Sequence, residues 1–432
     1  MADGIDTAEF ELQDHLVNVI IDFEGADKGL FEDFSLKEVI MAESLLTPGL
    51  QTSITGHNYI HKTPDKNYFD VLKGENVKFT IERKILKKLN QPSTLEFQQV
   101  IYRLGGRSST NPNTTDNRKQ INRAVEELTF HACDRTLLND AATLVSKSWK
   151  CTTPTQVTGE VLAQCAGVPM DRMVLELSDP ARDYIAENIR PFQVVTQQAN
   201  AALAAGNDPS FLHFMTYPDV LSNIESRKSG TGIHHFRSLH TMAQQQPVGR
   251  PLQYGDAGNS YFNPYGIMHY VFPCDFDFLS DILNGVGMNG NISSVVIFNP
   301  ATKLFDLTGN QDYGCGVGGG EFKISMSNFG SEKSQNMCPD FVSTYLKKRQ
   351  ARMSLLEKDK IALRITVPWN PIYNVGKVIQ VKFINEEDPT GQTENYGSGK
   401  YLIASLVHNI KNGGYGTITM DCVSETVAYG EV

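Results

Sequence analysis

The sequence predicts an α+β protein, mainly β, in which two small β-barrels flank an α+β domain and carry helical insertions. Near both ends of the chain, apolar residues alternate with polar ones, as in Leu363, Ile365 and Val367, which is the period of a half-buried strand. Between these regions the apolar period lengthens to three or four residues, as in amphipathic helices. We therefore expect a first barrel at 1–133, an α+β domain at 134–240 and a second barrel at 241–432.

Length and composition narrow the class of protein. The chain has 432 residues, of which 40% are apolar and 20% are charged. It is too long for one ordinary core and too apolar for a disordered chain. No apolar run reaches the ~18 residues of a membrane-spanning helix, and the acidic start lacks the features of a signal peptide, so we expect folding in a cytoplasm. Seven scattered cysteines predict reduced thiols and not a disulfide framework.

The charge balance argues against nucleic acid as a bound ligand. The chain has 39 basic and 49 acidic residues, a net charge of −10. Proteins that bind nucleic acid neutralise its phosphates with Lys and Arg, so a negative net charge is unfavourable for binding it. Nucleic acid could still be cargo, because an acidic passage repels DNA and leaves it free to slide. The plainer alternative is that the acidity serves solubility alone, as in many cytoplasmic proteins.

The first barrel is predicted from alternating segments separated by turns. The turn Thr47-Pro48-Gly49 separates two of them, and a glycine turn precedes another. The predicted strands are near 17–21, 34–46, 50–56, 77–83, 95–104 and 128–132.

The α+β domain is predicted from a change of period. Helical spacing begins at Leu137 and continues through Leu144, Val145 and Ser148, which predicts one helix over that stretch. Two more helices are predicted at 155–167 and 191–205, the latter opened by Pro191. A pair of strands is expected at 211–216 and 233–239.

The second barrel is predicted from a strand at 266–273, a helix at 277–284, two strands at 294–298 and 303–307, and four strands between 361 and 423. Asn412-Gly413-Gly414 marks a hairpin between the last two strands. Four antiparallel strands with short turns fit a small barrel or a sandwich. A helix at 341–358 has a basic face that includes Arg349 and Arg352.

Three segments together resemble a known family. They are the run E-S-L-L-T-P-G-L-Q from Glu43, the segment F-D-F-L-S-D-I-L-N-G-V-G with V-V-I-F-N-P-A-T-K-L-F-D-L that ends at Leu307, and the pattern of V-P-x-x-P, V-G-K-V-I-x-V and S-G-K-Y-L-I between 367 and 403. This pattern resembles the baseplate hub proteins of contractile-tailed bacteriophages, which are related to the hub part of type VI secretion spike proteins. The resemblance covers most of the chain but not 309–339.

The resemblance implies a structural role in a virion tail baseplate assembled in the host cytoplasm. It implies a homotrimer in which two tube-type barrels per chain form a pseudo-sixfold ring. This ring would adapt the threefold central spike to the sixfold tail tube, contact the tube or its initiator and the baseplate wedge proteins, and pass DNA as cargo through its bore. The hub of a non-phage contractile injection system is an alternative. A tail-associated cell-wall-degrading enzyme is another, although no paired acid and base is identifiable.

No catalytic, cofactor or metal site is predicted. The G-x-G-x-x-G spacing in 314–320 precedes a strand pattern and not the helix that a dinucleotide fold needs. His234 and His235 with His240, or His269 with Cys274, lack the spacing of a zinc site, and neighbouring histidines in a strand point to opposite faces. We name four candidate subunit contacts: Arg349, Arg352, Trp149 and Trp369. For the two tryptophans, simple packing is the alternative.

Overall fold

The computed structural model describes residues 12–24, 34–59, 74–110, 125–205, 208–254, 263–272, 294–299, 304–308, 322–325, 363–384 and 397–424. The predicted helices at 277–284 and 341–358, and with them Arg349 and Arg352, lie outside these residues. Within the described part of the chain, no helix is both long enough and apolar enough to cross a membrane.

The chain is mainly β, as predicted. Five α-helices are described: α1 (Lys84–Lys88), α2 (Arg135–Ala142), α3 (Pro154–Gln164), α4 (Pro191–Ala199) and α5 (Leu239–Ala243). Short 3-10 helices lie at Leu12–His15, Met170–Arg172 and Glu225–Arg227. The strands are β1 (Val17–Glu24), β2 (Phe34–Ser44), β3 (Gln51–Tyr59), β4 (Asn76–Arg83), β5 (Thr94–Thr110), β6 (Val125–Cys133), β7 (Val145–Thr152), β8 (Met173–Leu175), β9 (Arg182–Ile189), β10 (Phe211–Thr216), β11 (Ser229–Gly230), β12 (Ile233–Ser238), β13 (Leu252–Tyr254), β14 (His269–Val271), β15 (Ser294–Asn299), β16 (Leu304–Thr308), β17 (Phe322–Ser325), β18 (Leu363–Pro368), β19 (Val378–Phe383), β20 (Gly399–Lys411) and β21 (Gly416–Val423).

One sheet runs through both of the regions predicted to be barrels. Its path is β1-β4-β5-β6-β3-β2-β20-β21-β18-β14, with β11, β13 and β19 attached beside it. We call β1 to β6 the N-terminal strand set, and β14 with β18 to β21 the C-terminal strand set. The two sets are joined where β2 pairs with β20, from Glu38 opposite Lys411 to Ser44 opposite Ser405.

One face of this sheet forms the core. Val39 and Met41 of β2 lie opposite Ile410 and His408 of β20, and all four side chains are buried. Phe79 of β4 stacks on Phe97 of β5, with 4.5 Å between the ring centroids. Because side chains alternate along each strand, the opposite face carries mostly polar residues.

Residues 134–243, between the two sets, contain two further sheets, β10-β12-β8 and β7-β9, and the helices α2, α3 and α4. We call this region, for which the sequence predicts a domain at 134–240, the peripheral domain. The helix predicted through Ser148 is wrong in its second half, since α2 ends at Ala142 and 145–152 form β7. In β7 the buried residues Val145 and Trp149 are four apart, because register shifts interrupt its pairing with β9. A bulged strand can therefore show the apolar spacing of a helix.

The third predicted helix is shorter than expected. α4 ends at Ala199, whereas the prediction continued to 205. The apolar residues 201–204 are buried without being helical. Leu203 instead exchanges two backbone hydrogen bonds with Asp179, at 2.9 and 3.0 Å. The helix at 154–164, the strand pair β10–β12, the strand pair β15–β16 and the four C-terminal strands agree with prediction.

Candidate interdomain junction

The most buried non-strand segment of the described chain is Trp369 to Gly376, between β18 and β19. All eight of its residues are buried, including the polar side chains of Asn370 and Asn374. Connecting segments ordinarily lie on the surface, so a buried one signals a contact between larger parts of the molecule. At Gly376 the backbone has φ 78° and a side chain would meet the Met242 sulfur at 2.9 Å, so the segment approaches the peripheral domain as closely as glycine allows.

Glu43, at the end of β2, ties three parts of the chain together. Its Oε1 accepts hydrogen bonds from the backbone N–H of Tyr217, at 2.8 Å, and from Nδ2 of Asn374, at 3.1 Å. Its Oε2 accepts from the backbone N–H of Val375, at 2.9 Å. Glu43 is 3% exposed. One carboxyl group therefore joins the N-terminal strand set, the peripheral domain and the buried segment of the C-terminal part.

Burial is the main influence on this carboxyl group. It raises the pKa of Glu43 to about 7, against the opposing effect of the three donors and of Lys377. Lys377 itself donates to Asp219 Oδ1 at 2.7 Å, so a cation and an acid of the same junction are already paired. The sequence held a signal for this site, since Glu43 occupies the same alternating positions as the buried Val39 and Met41.

Tyr217 extends the junction into the core of the N-terminal strand set. Its hydroxyl lies 2.9 Å from Thr52 Oγ1 and donates to the carbonyl of Gln51 at 3.1 Å. Its ring packs edge-to-face on Phe97 at 4.9 Å and on His408 at 6.2 Å. A residue of the peripheral domain thus contacts strands of both sets.

A buried cation makes a second contact between the N-terminal strand set and the buried segment. Arg83, at the end of β4, is 1% exposed, and its Nη1 donates to the carbonyl of Trp369 at 3.0 Å. Burial lowers the pKa of Arg83 to about 10. Trp369 is fully buried beside it.

The base of the peripheral domain contains a hydrogen-bonded chain of side chains. Asp134 caps α2, and its Oδ2 accepts the N–H of Gly232 at 2.8 Å. Thr136 donates its hydroxyl to Asp134 Oδ1 at 2.6 Å. Its oxygen then accepts from His234 Nε2 at 3.1 Å, and His234 Nδ1 lies 3.2 Å from His213 Nε2. Burial lowers the pKa of both histidines, to about 3 for His234, so both rings are neutral structural groups.

The other histidines show no ligand arrangement. His235 points to the opposite face from His234, stacks on Phe214 at 4.8 Å and contacts Thr216 Oγ1 at 3.0 Å. In the described part of the chain, no three His, Cys, Asp or Glu side chains are grouped as metal ligands would be. The cysteines described there, Cys133, Cys151, Cys165 and Cys422, are free thiols.

The two tryptophans named as subunit contacts are used within the chain. Trp149 of β7 stacks on Tyr184 at 5.7 Å, and its Nε1 donates to Glu160 Oε2 at 2.7 Å. Trp369 lies in the junction already described. Their contact with a neighbouring subunit, like that of Arg349 and Arg352, stays a prediction.

Comparison with solved structures identifies the fold, whereas comparison of sequences finds no match. No protein-family model and no curated protein matches the sequence. Among solved structures, the chain is similar to a 43 kDa tail protein of prophage MuSo2 from Shewanella oneidensis, with 10% identity and a TM-score of 0.53 over 94% of this chain and 98% of that one. It is also similar to a tail protein from Neisseria meningitidis MC58, with 12% identity and a TM-score of 0.51 over 95% of this chain and 97% of that one. The fold is thus that of these two tail proteins over nearly its whole length.

Proposed function

We propose that this chain is the hub of a contractile-tail baseplate. Three copies would form a ring in which each contributes two similar strand sets, so that a threefold assembly presents six similar units. One rim would dock the central spike, the other would begin the tail tube, and the peripheral domains would meet the wedge proteins. The role is binding, and DNA would pass through the bore as cargo.

The observation that carries this proposal is the sheet that joins the two strand sets. Within one chain, β2 and β20 pair edge to edge. This pairing supports a ring in which neighbouring chains would be joined by similar edge contacts. The likeness of fold to a prophage tail protein and to a second tail protein, over nearly the whole of each chain, supports the same role.

Assembly state tests the proposal. At micromolar concentration, light scattering of the chain alone should give a mass three times the 48.0 kDa of one chain, and with the spike protein a mass that also includes the bound spike. The double variant Arg349→Glu, Arg352→Glu should assemble less, if the basic helix face predicted there meets a neighbour. A monomer of uniform mass under both conditions would contradict the trimeric hub.

A further inference from the structure

A groove of about 470 Å³ lies between the N-terminal strand set and the peripheral domain. The end of β2 and the turn at Pro48 form one side. Leu137 of α2 and Phe192 of α4 form the other. The walls are therefore largely apolar, and the groove is open to the outside of the chain.

The charges that line this groove have one sign. Among its described lining residues, Glu43 and Asp140 are the charged ones, and both are acidic. The remaining polar groups are hydroxyls and amides, such as Thr196 and Gln193. A groove with apolar walls and only acidic charge is complementary to a cation on an aliphatic stem.

The two acids differ in whether a carboxylate oxygen is available to a ligand. Both oxygens of Glu43 already accept hydrogen bonds within the junction. Asp140 is 7% exposed, and its Oδ1 accepts the backbone N–H of Phe192 at 2.7 Å. Its Oδ2 has no hydrogen-bond partner among the described residues. Burial raises the pKa of Asp140, and Arg190, which is not a lining residue, acts in the opposite direction.

We propose that the groove binds a lysine or arginine side chain presented by another protein, with Asp140 Oδ2 accepting from the cation and the apolar walls packing along its stem. A charge-assisted hydrogen bond at a buried carboxylate is among the stronger polar contacts. The volume exceeds that of one side chain, so flanking backbone fits as well, which favours a protein over a free amine. This assignment does not depend on the tail function.

Two capped tripeptides, acetyl-Ala-Lys-Ala-amide and its arginine counterpart, are suitable probes for the full chain in ligand-observed NMR. At least one should bind with a dissociation constant on the order of 1 mM, typical of a small ligand. The glutamine counterpart should not bind. In Asp140→Asn the amide oxygen still accepts from Phe192 but the charge is gone, so binding should weaken about tenfold.

Glu187→Gln provides the matched control, since Glu187 is an exposed acid of the same domain outside the groove. It should bind the peptides as the natural chain does. Should Asp140→Asn fail to fold, Thr196→Lys places a cation in the groove from an exposed position and should abolish binding. Equal binding of the charged and glutamine peptides, or undiminished binding by the variant that folds, would overturn the proposal. Tighter binding of putrescine than of either peptide would assign the groove to a free diamine and also overturn it.

Discussion

A single carboxyl group, that of Glu43, decides how three parts of this chain meet. Its ionised form suits the junction, because the three neighbouring groups are all donors. Burial opposes ionisation and raises its pKa to about 7. In the unfolded chain a glutamate has a pKa of about 4.3. The folded state therefore holds this proton over a range of pH in which the unfolded state has released it.

This difference predicts a dependence of stability on pH. The stabilising contribution of protonated Glu43 is fully present below pH ~4.3 and is lost as the pH rises through about 7. Glu43→Gln has no proton to lose. Between pH 5 and pH 8, the free energy of unfolding of the natural chain should thus fall relative to that of Glu43→Gln by roughly 2–4 kcal/mol. Urea unfolding of both chains across this range measures it.

Glu187→Gln is the control for this experiment, because Glu187 is exposed and removing its charge tests only the general effect of one acid. Its unfolding free energy should follow the natural chain at every pH. Parallel profiles for Glu43→Gln and the natural chain would show that the Glu43 carboxyl does not titrate differently in the folded state.

At the scale of elements, the β20–β21 hairpin closes over the start of β1. Val17 exchanges backbone hydrogen bonds with the hairpin, its N–H donating to Gly414 at 2.9 Å and its carbonyl accepting from Gly413 at 3.1 Å. The N–H of Trp369 donates to the carbonyl of Gly416 at 2.8 Å. The hairpin, the buried segment and β1 thus converge at Gly416.

Gly416→Ala should therefore loosen this closure. The added Cβ would lie 2.8 Å from Trp369 Cβ and 2.8 Å from Val17 Cγ2, closer than carbon atoms pack. We expect the free energy of unfolding to fall by about 1–3 kcal/mol, the usual cost of overpacking a core. Gly49→Ala is the matched control, because its Cβ would meet Leu137 at an ordinary 3.4 Å. An equal effect of the two substitutions in urea unfolding would contradict the steric argument.

The elements also show how far the sequence could lead. Strands with a clean alternation, such as Leu363–Pro368 and Asn76–Arg83, were predictable because each has one buried face. The bulged strand β7 has buried residues four apart, so its sequence pattern predicts a helix where the structure has a strand. The pairing of β2 with β20 was not predictable, since the register of strands distant in sequence depends on tertiary packing.

The junction is difficult to predict from the sequence for a related reason. Polar residues such as Asn374 give no local signal that they will be buried, because their partners come from Glu43 and Tyr217, far away in sequence. The alternation of Glu43 with Val39 and Met41 was the available clue. A glutamate at a core position of a strand indicates either an edge or a buried polar contact.

For the whole molecule, the charges on the polar face of the joined sheet are relevant to the proposed passage of DNA. The chain is acidic by ten charges, yet three cations on or beside this face are each held by an acid: Lys37 by Glu127 at 3.6 Å, Lys78 by Glu96 at 3.2 Å, and Arg364 by Asp421 at 2.5 Å. Paired cations do not release the counterions of phosphate groups. The natural chain should therefore bind double-stranded DNA weakly and with little dependence on salt, as the proposed passage of DNA requires.

Unpairing these cations should create an affinity for DNA. In the triple variant Glu96→Gln, Glu127→Gln, Asp421→Asn, each freed cation can neutralise a phosphate, so the slope of log affinity against log salt should steepen by up to about 2.7. The pairs are partly exposed, so the fold should survive. The control triple Glu82→Gln, Asp179→Asn, Glu187→Gln also removes three acids, taking the net charge from −10 to −7, but these acids have no ion-pair partner among the described residues. Filter binding at several salt concentrations compares the three chains. If the two triples gain affinity equally, net charge and not the pairing on this face governs the encounter with DNA.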